Sequence, residues 1–188
     1  MRTDPGMLSR MGSALVVIDM LNSYDFPDAD ELAQSAADAV PNISSLISRA
    51  QDEGVPIIYV NDNYGDWNSS ADELLEEGLK GKHPELVEPL KPPEDASFVI
   101  KARHTIFYGT PLEHLLSSEG IDRLVLTGQV TEQCVLYSAL DAYVRDIAVA
   151  VPADAVAHIH PDLADAALKM METNMSAEIG TSTELALK

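Results

Sequence analysis

The sequence predicts an α/β fold, a doubly wound, mostly parallel sheet with helices on both faces. Apolar runs of strand length recur along the chain, stretches with helical spacing separate them, and polar residues stand just past several of the runs. Continuously apolar strands need cover on both faces, and parallel neighbours need helical crossovers, so the pattern leads to a Rossmann-like three-layer sandwich. In such sheets the ligand crevice lies beyond the carboxyl ends of the strands, where strand order reverses.

Residues 1–12 read as a loose lead-in. The first strand is 13–18, Ser-Ala-Leu-Val-Val-Ile, and it stops at Asp19. A helix follows over about 30–53, with Leu32, Ala36, Ala39, Ile43, Leu46, Ile47 and Ala50 on one face, a kink at Pro41 and a stop at Gly54. The second strand, 55–60, delivers the chain into Asn61-Asp62-Asn63-Tyr64-Gly65-Asp66-Trp67. Residues 68–95 are rich in proline, glycine and charge; they read as an excursion with one short helix over 70–78, of a size used for lids and site walls. The third strand is 97–100, ending at Lys101. Thr110-Pro111-Leu112-Glu113 predicts a helix start with Thr110 as N-cap and Glu113 closing a capping box, and Gly120 ends that helix.

The fourth strand, 123–127, leads to a tight turn at Gly128 and then a helix capped by Thr131 that runs to about Arg145. Residues 147–151 are the fifth strand, Pro161 opens the last helix, and 177–183 supply a sixth strand. No repeat or low-complexity segment interrupts the chain, so 1–188 is expected to be one domain.

Composition narrows the function classes. The net charge of -19, from 31 acidic and 12 basic residues, argues against nucleic acid and anionic membranes as partners. The acids are spread through helices and loops, the pattern of a solvated surface. Cys134 is the only cysteine, which excludes an intramolecular disulfide and suits a reducing compartment. The start Met1-Arg2-Thr3-Asp4-Pro5-Gly6 has no signal-peptide pattern, and no apolar run reaches the roughly 20 residues of a membrane span. A cytoplasmic protein acting on a small molecule, without a cofactor, is expected.

The crevice rule brings together Asp19 after strand one, Lys101 after strand three and Cys134 just past strand four. Taken singly, each has a plainer role, as turn former, surface charge or core residue. Together they make a hydrolytic centre. Cys134, in the first turn of its helix, is biased towards thiolate by the helix terminus. Asp19 could take the thiol proton, Lys101 would hold the carboxylate, and the backbone N–H groups of Val130 and Cys134 could receive an oxyanion. Tyr24, Trp67 and Tyr108 are candidate substrate-pocket walls. Tyr137 reads as core or subunit contact, and His104, His114, His158 and His160 as structural or exposed.

Three blocks carry a resemblance: Val16-Val17-Ile18-Asp19-Met20, the run Lys101-Ala102-Arg103-His104-Thr105-Ile106-Phe107-Tyr108-Gly109-Thr110-Pro111-Leu112, and Gly128-Gln129-Val130-Thr131-Glu132-Gln133-Cys134-Val135. In this order and spacing the chain resembles the isochorismatase-like cysteine hydrolases over nearly its whole length. The resemblance implies a six-stranded parallel sheet, an Asp–Lys–Cys triad at Asp19, Lys101 and Cys134, a cis peptide at Gln129–Val130 that turns the Val130 N–H towards the oxyanion, and a homo-oligomer, dimer or larger. The nicotinamidase-type branch binds a metal through Asp-x-His after strand two with a further histidine downstream. This chain has Asp62-Asn63-Tyr64 there and His83 downstream, so no metal is expected. Many relatives carry glutamine where Leu21 stands, whereas Tyr24 keeps the aromatic. Family members that hydrolyse the isochorismate vinyl ether tend to lack the cysteine, so Cys134 points to acyl transfer at an amide or carbamoyl C–N bond. The alternatives are vinyl-ether hydrolysis with Asp19 as acid, and a non-catalytic binding or thiol-sensing protein.

Overall fold

A computed structural model describes residues 12–188. The expected lead-in therefore lies outside the described residues, except Gly12, which already belongs to the first strand. The elements are β1 (Gly12–Ile18), α1 (Ala29–Glu53), β2 (Ile57–Asp62), α2 (Ala71–Lys80), α3 (Pro84–Val87), β3 (Ser97–Lys101), α4 (Leu112–Glu119), β4 (Ile121–Gln129), α5 (Leu136–Tyr143), β5 (Ala148–Pro152), β6 (Val156–Ala157), α6 (Pro161–Met175) and β7 (Glu178–Gly180). The sheet has seven strands in the order β3-β2-β1-β4-β5-β7, with β6 pairing β4, and every pair is parallel. The added seventh strand, β6, is two residues long and too short to leave a periodic signal in the sequence.

Alternation along β1 explains its unbroken apolar run. Leu15 and Val17 join α1 in one core, while Ala14, Val16 and Ile18 join α4, α5 and α6 in the other. From Ala14 to Ile18 neither side of the strand faces water, and no polar residue interrupts that run. The second and fourth strands follow the same rule. Ile57 and Tyr59 enter the first core, and Ile58, Val60, Leu124 and Leu126 the second.

Four local expectations change. Pro41 does not divide α1, which runs unbroken through it with Val40 and Ile43 buried on either side. The apolar face outweighs the hydrogen bond that proline removes. The 68–95 excursion carries a second helix, α3, besides the expected one, and packs into the core: Leu74, Leu86, Val87 and Leu90 are buried with α1, and the Tyr59 hydroxyl donates to the Leu90 carbonyl at 3.0 Å. Ser70 forms a reciprocal capping box with Glu73 at the start of α2. The capping box at Thr110 does not form. Pro111 is the N-cap of α4, the Thr110 hydroxyl donates to the Ile106 carbonyl at 2.6 Å, and Glu113 pairs with Arg145 at 2.9 Å.

The fourth change matters most for the site. Gly128 is no turn; it lies inside β4, in register with Ile18 of β1 and Val156 of β6. Its φ is 104°, and a Cβ there would stand 2.1 Å from the Ile18 carbonyl oxygen. The glycine lets β1 and β4 approach at their carboxyl ends, and the chain turns one residue later, at a cis Gln129–Val130 peptide. Among the described residues no helix is long and apolar enough to cross a membrane.

Replacing Gly128 by alanine forces both the disfavoured φ and the backbone collision. Gly128→Ala is expected to cost about 3 kcal/mol or more in chemical denaturation, and a variant as stable as the parent would contradict the close-approach role.

Candidate active site

Strand order reverses between β1 and β4: the chain runs outward through β2 and β3, then returns to the other side of β1. Asp19 follows β1 at this point with φ 55°, a left-handed conformation that aspartate tolerates better than most residues. Hydrogen bonds hold its backbone there. The Asp19 N–H donates to the Val60 carbonyl at 3.0 Å, and the Gln129 side-chain amide donates to the Asp19 carbonyl at 2.8 Å. Tyr24 donates its hydroxyl to Gln129 Oε1 at 3.1 Å, and the Asn61 amide brackets the Leu21 backbone, accepting from its N–H at 3.0 Å and donating to its carbonyl at 3.2 Å.

Lys101, the last residue of β3, reaches past the end of β2 into the same crevice. Its Nζ lies 2.8 Å from Asp19 Oδ2, 3.4 Å from Asp62 Oδ2 and 3.7 Å from Cys134 Sγ. The other Asp19 oxygen accepts the Asp62 N–H at 2.7 Å. Burial opposes the Lys101 charge, yet Asp19, Cys134 and Asp62 outweigh it and hold the ammonium pKa above its ordinary value. Burial raises the Asp19 carboxyl pKa despite the adjacent ammonium.

Cys134 sits in a wider turn than expected. Val130, not Thr131, is the N-cap, and the Val135 N–H reaches back five residues to the Val130 carbonyl at 3.1 Å, so Thr131–Val135 is one π turn leading into α5. The Thr131 hydroxyl instead donates to the Ala157 carbonyl at 2.9 Å, tying the turn to β6. Buried Glu132 ties it to the entry of α6, accepting the Ile159 and His160 N–H groups at 3.0 and 2.8 Å. The expected bias towards thiolate does not hold. Burial and then the Asp19 charge push the thiol well up, against the opposing pull of Lys101 and the Val130 N–H. Thiol and carboxylate are hydrogen-bonding neighbours that compete for one ammonium, so the cluster keeps a proton on one of them.

A groove of about 450 Å³ opens beside this cluster, between the loops after β2 and β3; Asp62, Trp67, Arg103, His104 and Tyr108 are among its walls. An adjoining hollow of about 330 Å³ reaches Lys101. Trp67 and Tyr108 line both hollows. Tyr24 does not: it is fully buried and acts behind the site, through Gln129.

With this geometry in place, the Isochorismatase domain family matches residues 13–184. The chain belongs to the isochorismatase family. It is similar to the isochorismatase family protein YaaI of Bacillus subtilis, 33% identical, with 95% of this chain and 98% of that protein covered. The ureidoacrylate amidohydrolase RutB of Pseudomonas savastanoi is 28% identical over 92% of this chain and 82% of its own length. The crystal structure of N-carbamoylsarcosine amidase from Thermoplasma acidophilum superposes with a TM-score of 0.72 at 28% identity, covering 93% of this chain and 99% of that one. The protein is an isochorismatase-family hydrolase.

The metal arrangement of the nicotinamidase-type branch does not fit this family member. Tyr64, in place of the motif histidine, donates its hydroxyl to the Leu21 carbonyl at 3.2 Å, and His83 is engaged by Glu85 and packs edge-on against Tyr24. Among the described residues no group of three or more His, Cys, Asp or Glu side chains could hold a metal ion.

Several site residues were not singled out in the sequence. Asp62, noted there only as half of a metal motif, orients Asp19 through its N–H. Gln129 holds the Asp19 carbonyl, and Asn61 holds the backbone two residues on, at Leu21. His104, expected to be structural or exposed, places Nδ1 3.7 Å from Cys134 Sγ and packs edge-on against Tyr137. Its position three residues after Lys101, on a strand-end loop, was the available signal.

Removing the ammonium tests the electrostatics. Lys101→Met leaves the Asp19 carboxylate without its cation and is expected to destabilise the protein by about 3 kcal/mol near neutral pH. Its Asp19 pKa should rise further above the unfolded value. The gap between parent and variant is then absent below the parent's folded Asp19 pKa, grows as pH rises through it and levels off above the variant's folded pKa. Denaturation midpoints of parent and variant should therefore converge in acid; a gap independent of pH would contradict the pairing.

Proposed function

We propose that this protein is a cysteine-dependent amidohydrolase, a single catalytic domain that cleaves an amide or carbamoyl C–N bond of a small molecule through a thioester. The observation that carries the reading is the cluster itself: a thiol, a carboxylate of raised pKa and a buried ammonium meet at the reversal of strand order. The amidohydrolase and amidase named among the relatives support the same class.

Cys134 Sγ attacks the carbonyl carbon while its proton passes to Asp19. The S–C bond forms, and the C=O π electrons move onto oxygen, which the N–H groups of Val130 and Cys134 receive. Collapse of this intermediate breaks the C–N bond as Asp19 returns the proton to the leaving nitrogen. Water then attacks the thioester, gives a proton to Asp19, and the C–S bond breaks; the sulfur is reprotonated from Asp19. Lys101 stays an ammonium throughout, facing the negative charge whether it is on carboxylate or sulfur. The raised thiol pKa supports a proton transfer coupled to attack rather than a standing thiolate. Trp67 and Tyr108 wall the substrate groove. The apolar face that Tyr137, Leu140 and Val144 expose in and just after α5 supports a homo-oligomer, and a working thiol suits the reducing cytoplasm.

The raised Asp19 pKa also favours a second reading, vinyl-ether hydrolysis with Asp19 as acid. One variant separates the two. Cys134→Ala should lower amide turnover by a factor of about 10⁴ or more with the far-UV spectrum unchanged, and acyl-Cys134 should be trapped by mass spectrometry in the parent. A Cys134→Ala protein that retains turnover, with Asp19→Ala inactive, would select the acid reading.

The pH profile gives an independent check. Because Asp19 must be ionised to act as base and its pKa is raised from 3.8, kcat/KM should fall on the acid side at a pH above the ordinary carboxylate range. An acid limb near 3.8 or lower would contradict Asp19 as the base.

A further inference from the structure

Arg103 stands apart from the other cations of this acidic chain. Among the described residues, every other lysine and arginine except Lys188 at the carboxyl end is ion-paired with a carboxylate. Arg103 has no ion pair or hydrogen bond among those residues, although the chain carries 31 acids. It is exposed and lines the groove next to His104, whose ring lies 3.7 Å from Cys134 Sγ.

The carboxylates nearby are already engaged. Asp62 Oδ1 accepts the Tyr64 N–H at 2.8 Å while Oδ2 faces Lys101 at 3.4 Å, and Asp66 Oδ1 accepts the Asn68 N–H at 2.9 Å. Lys101 is taken up by Asp19 and Asp62, so Arg103 is the cation the groove has to offer. Trp67 and Tyr108, exposed by 81% and 65%, flank the same groove and bring low-dielectric walls to the guanidinium. A protein with a net charge of -19 repels anions at long range. An anionic ligand therefore needs a local cation of this kind, and a guanidinium fork matches a carboxylate in two parallel hydrogen bonds.

We propose that Arg103 receives the carboxylate of an anionic substrate, so that the molecule hydrolysed is a small amido or ureido acid rather than a neutral amide. This rests on the amidohydrolase reading of Cys134 and adds the charge of the substrate to it.

A pair of alkylating reagents tests this without the substrate itself. Iodoacetate and iodoacetamide deliver the same carbon to the same thiolate and lose the same iodide, so their rate ratio at Cys134 cancels the thiolate fraction and retains the effect of charge. Arg103→Gln is expected to lower the iodoacetate-to-iodoacetamide ratio about fivefold or more at low salt, with Arg103→Lys keeping most of it. The parent's ratio should fall as salt is added. An Arg103→Gln ratio equal to the parent's overturns the inference, as does a lysine variant as low as the glutamine one. If the ratio is insensitive to Arg103 while Cys134→Ala still abolishes hydrolysis, the inference fails alone. If Cys134 reacts with neither reagent, the nucleophile reading fails and the inference falls with it.

Discussion

The ion pair between Asp19 and Lys101, 2.8 Å apart and almost wholly out of water, is the constraint the site is built around. Each buried ion costs several kcal/mol of lost hydration, which is offset only when geometry is good and the remaining polar atoms are satisfied. Both conditions are met. The second Asp19 oxygen takes the Asp62 N–H, and Lys101 also faces Asp62 and the Cys134 sulfur. These partners come from the ends of β1, β2 and β3 and from the turn after β4, so the pair is stable only where those strands end together. The parallel sheet places them there, and Gly128 lets β1 and β4 approach closely enough.

This pair also governs how protons are held. Burial raises the pKa of both the Asp19 carboxyl and the Cys134 thiol, and a single ammonium serves both. Moving a proton from sulfur to carboxylate transfers negative charge over a short distance beside Lys101 without changing the net charge of the cluster. In the reaction proposed above, the nucleophile is generated during attack, in a place where a permanent thiolate is disfavoured. The helix terminus, a bias for the thiolate in isolation, is outweighed by desolvation and a neighbouring carboxylate.

Around this core lies a layer of residues whose side chains do not contact the Asp19 carboxylate or the Cys134 sulfur. Gln129 and Asn61 fix the backbone near Asp19, and Thr131 and Glu132 anchor the turn that carries Cys134. Tyr24 belongs to this layer and not to the pocket. The groove itself, lined by Trp67, Tyr108 and Arg103, lies on loops outside the sheet, where side chains can vary without disturbing the pair.

Much of the fold and the central cluster was legible in the residues alone. A strand buried on both faces favours apolar side chains, so β1, β2 and β4 each contain an apolar run, and Asp19 and Lys101 are conspicuous because they end such runs. The quoted blocks made the family visible. What the residues did not show depends mostly on partners distant in sequence. Thr131 carries cap chemistry, but the Ala157 carbonyl took its hydroxyl, as the carbonyl of Ile106, one turn back, took that of Thr110. Gly128 has a turn residue's freedom, spent on close packing against Ile18. Tyr24 looked like a pocket wall until the fold sealed it. The Cys134 thiol is raised by burial and by a carboxylate that follows the first strand, far away along the chain. Local propensity sets what a side chain can do; which partner it meets, and whether water reaches it, is decided only when the strands assemble.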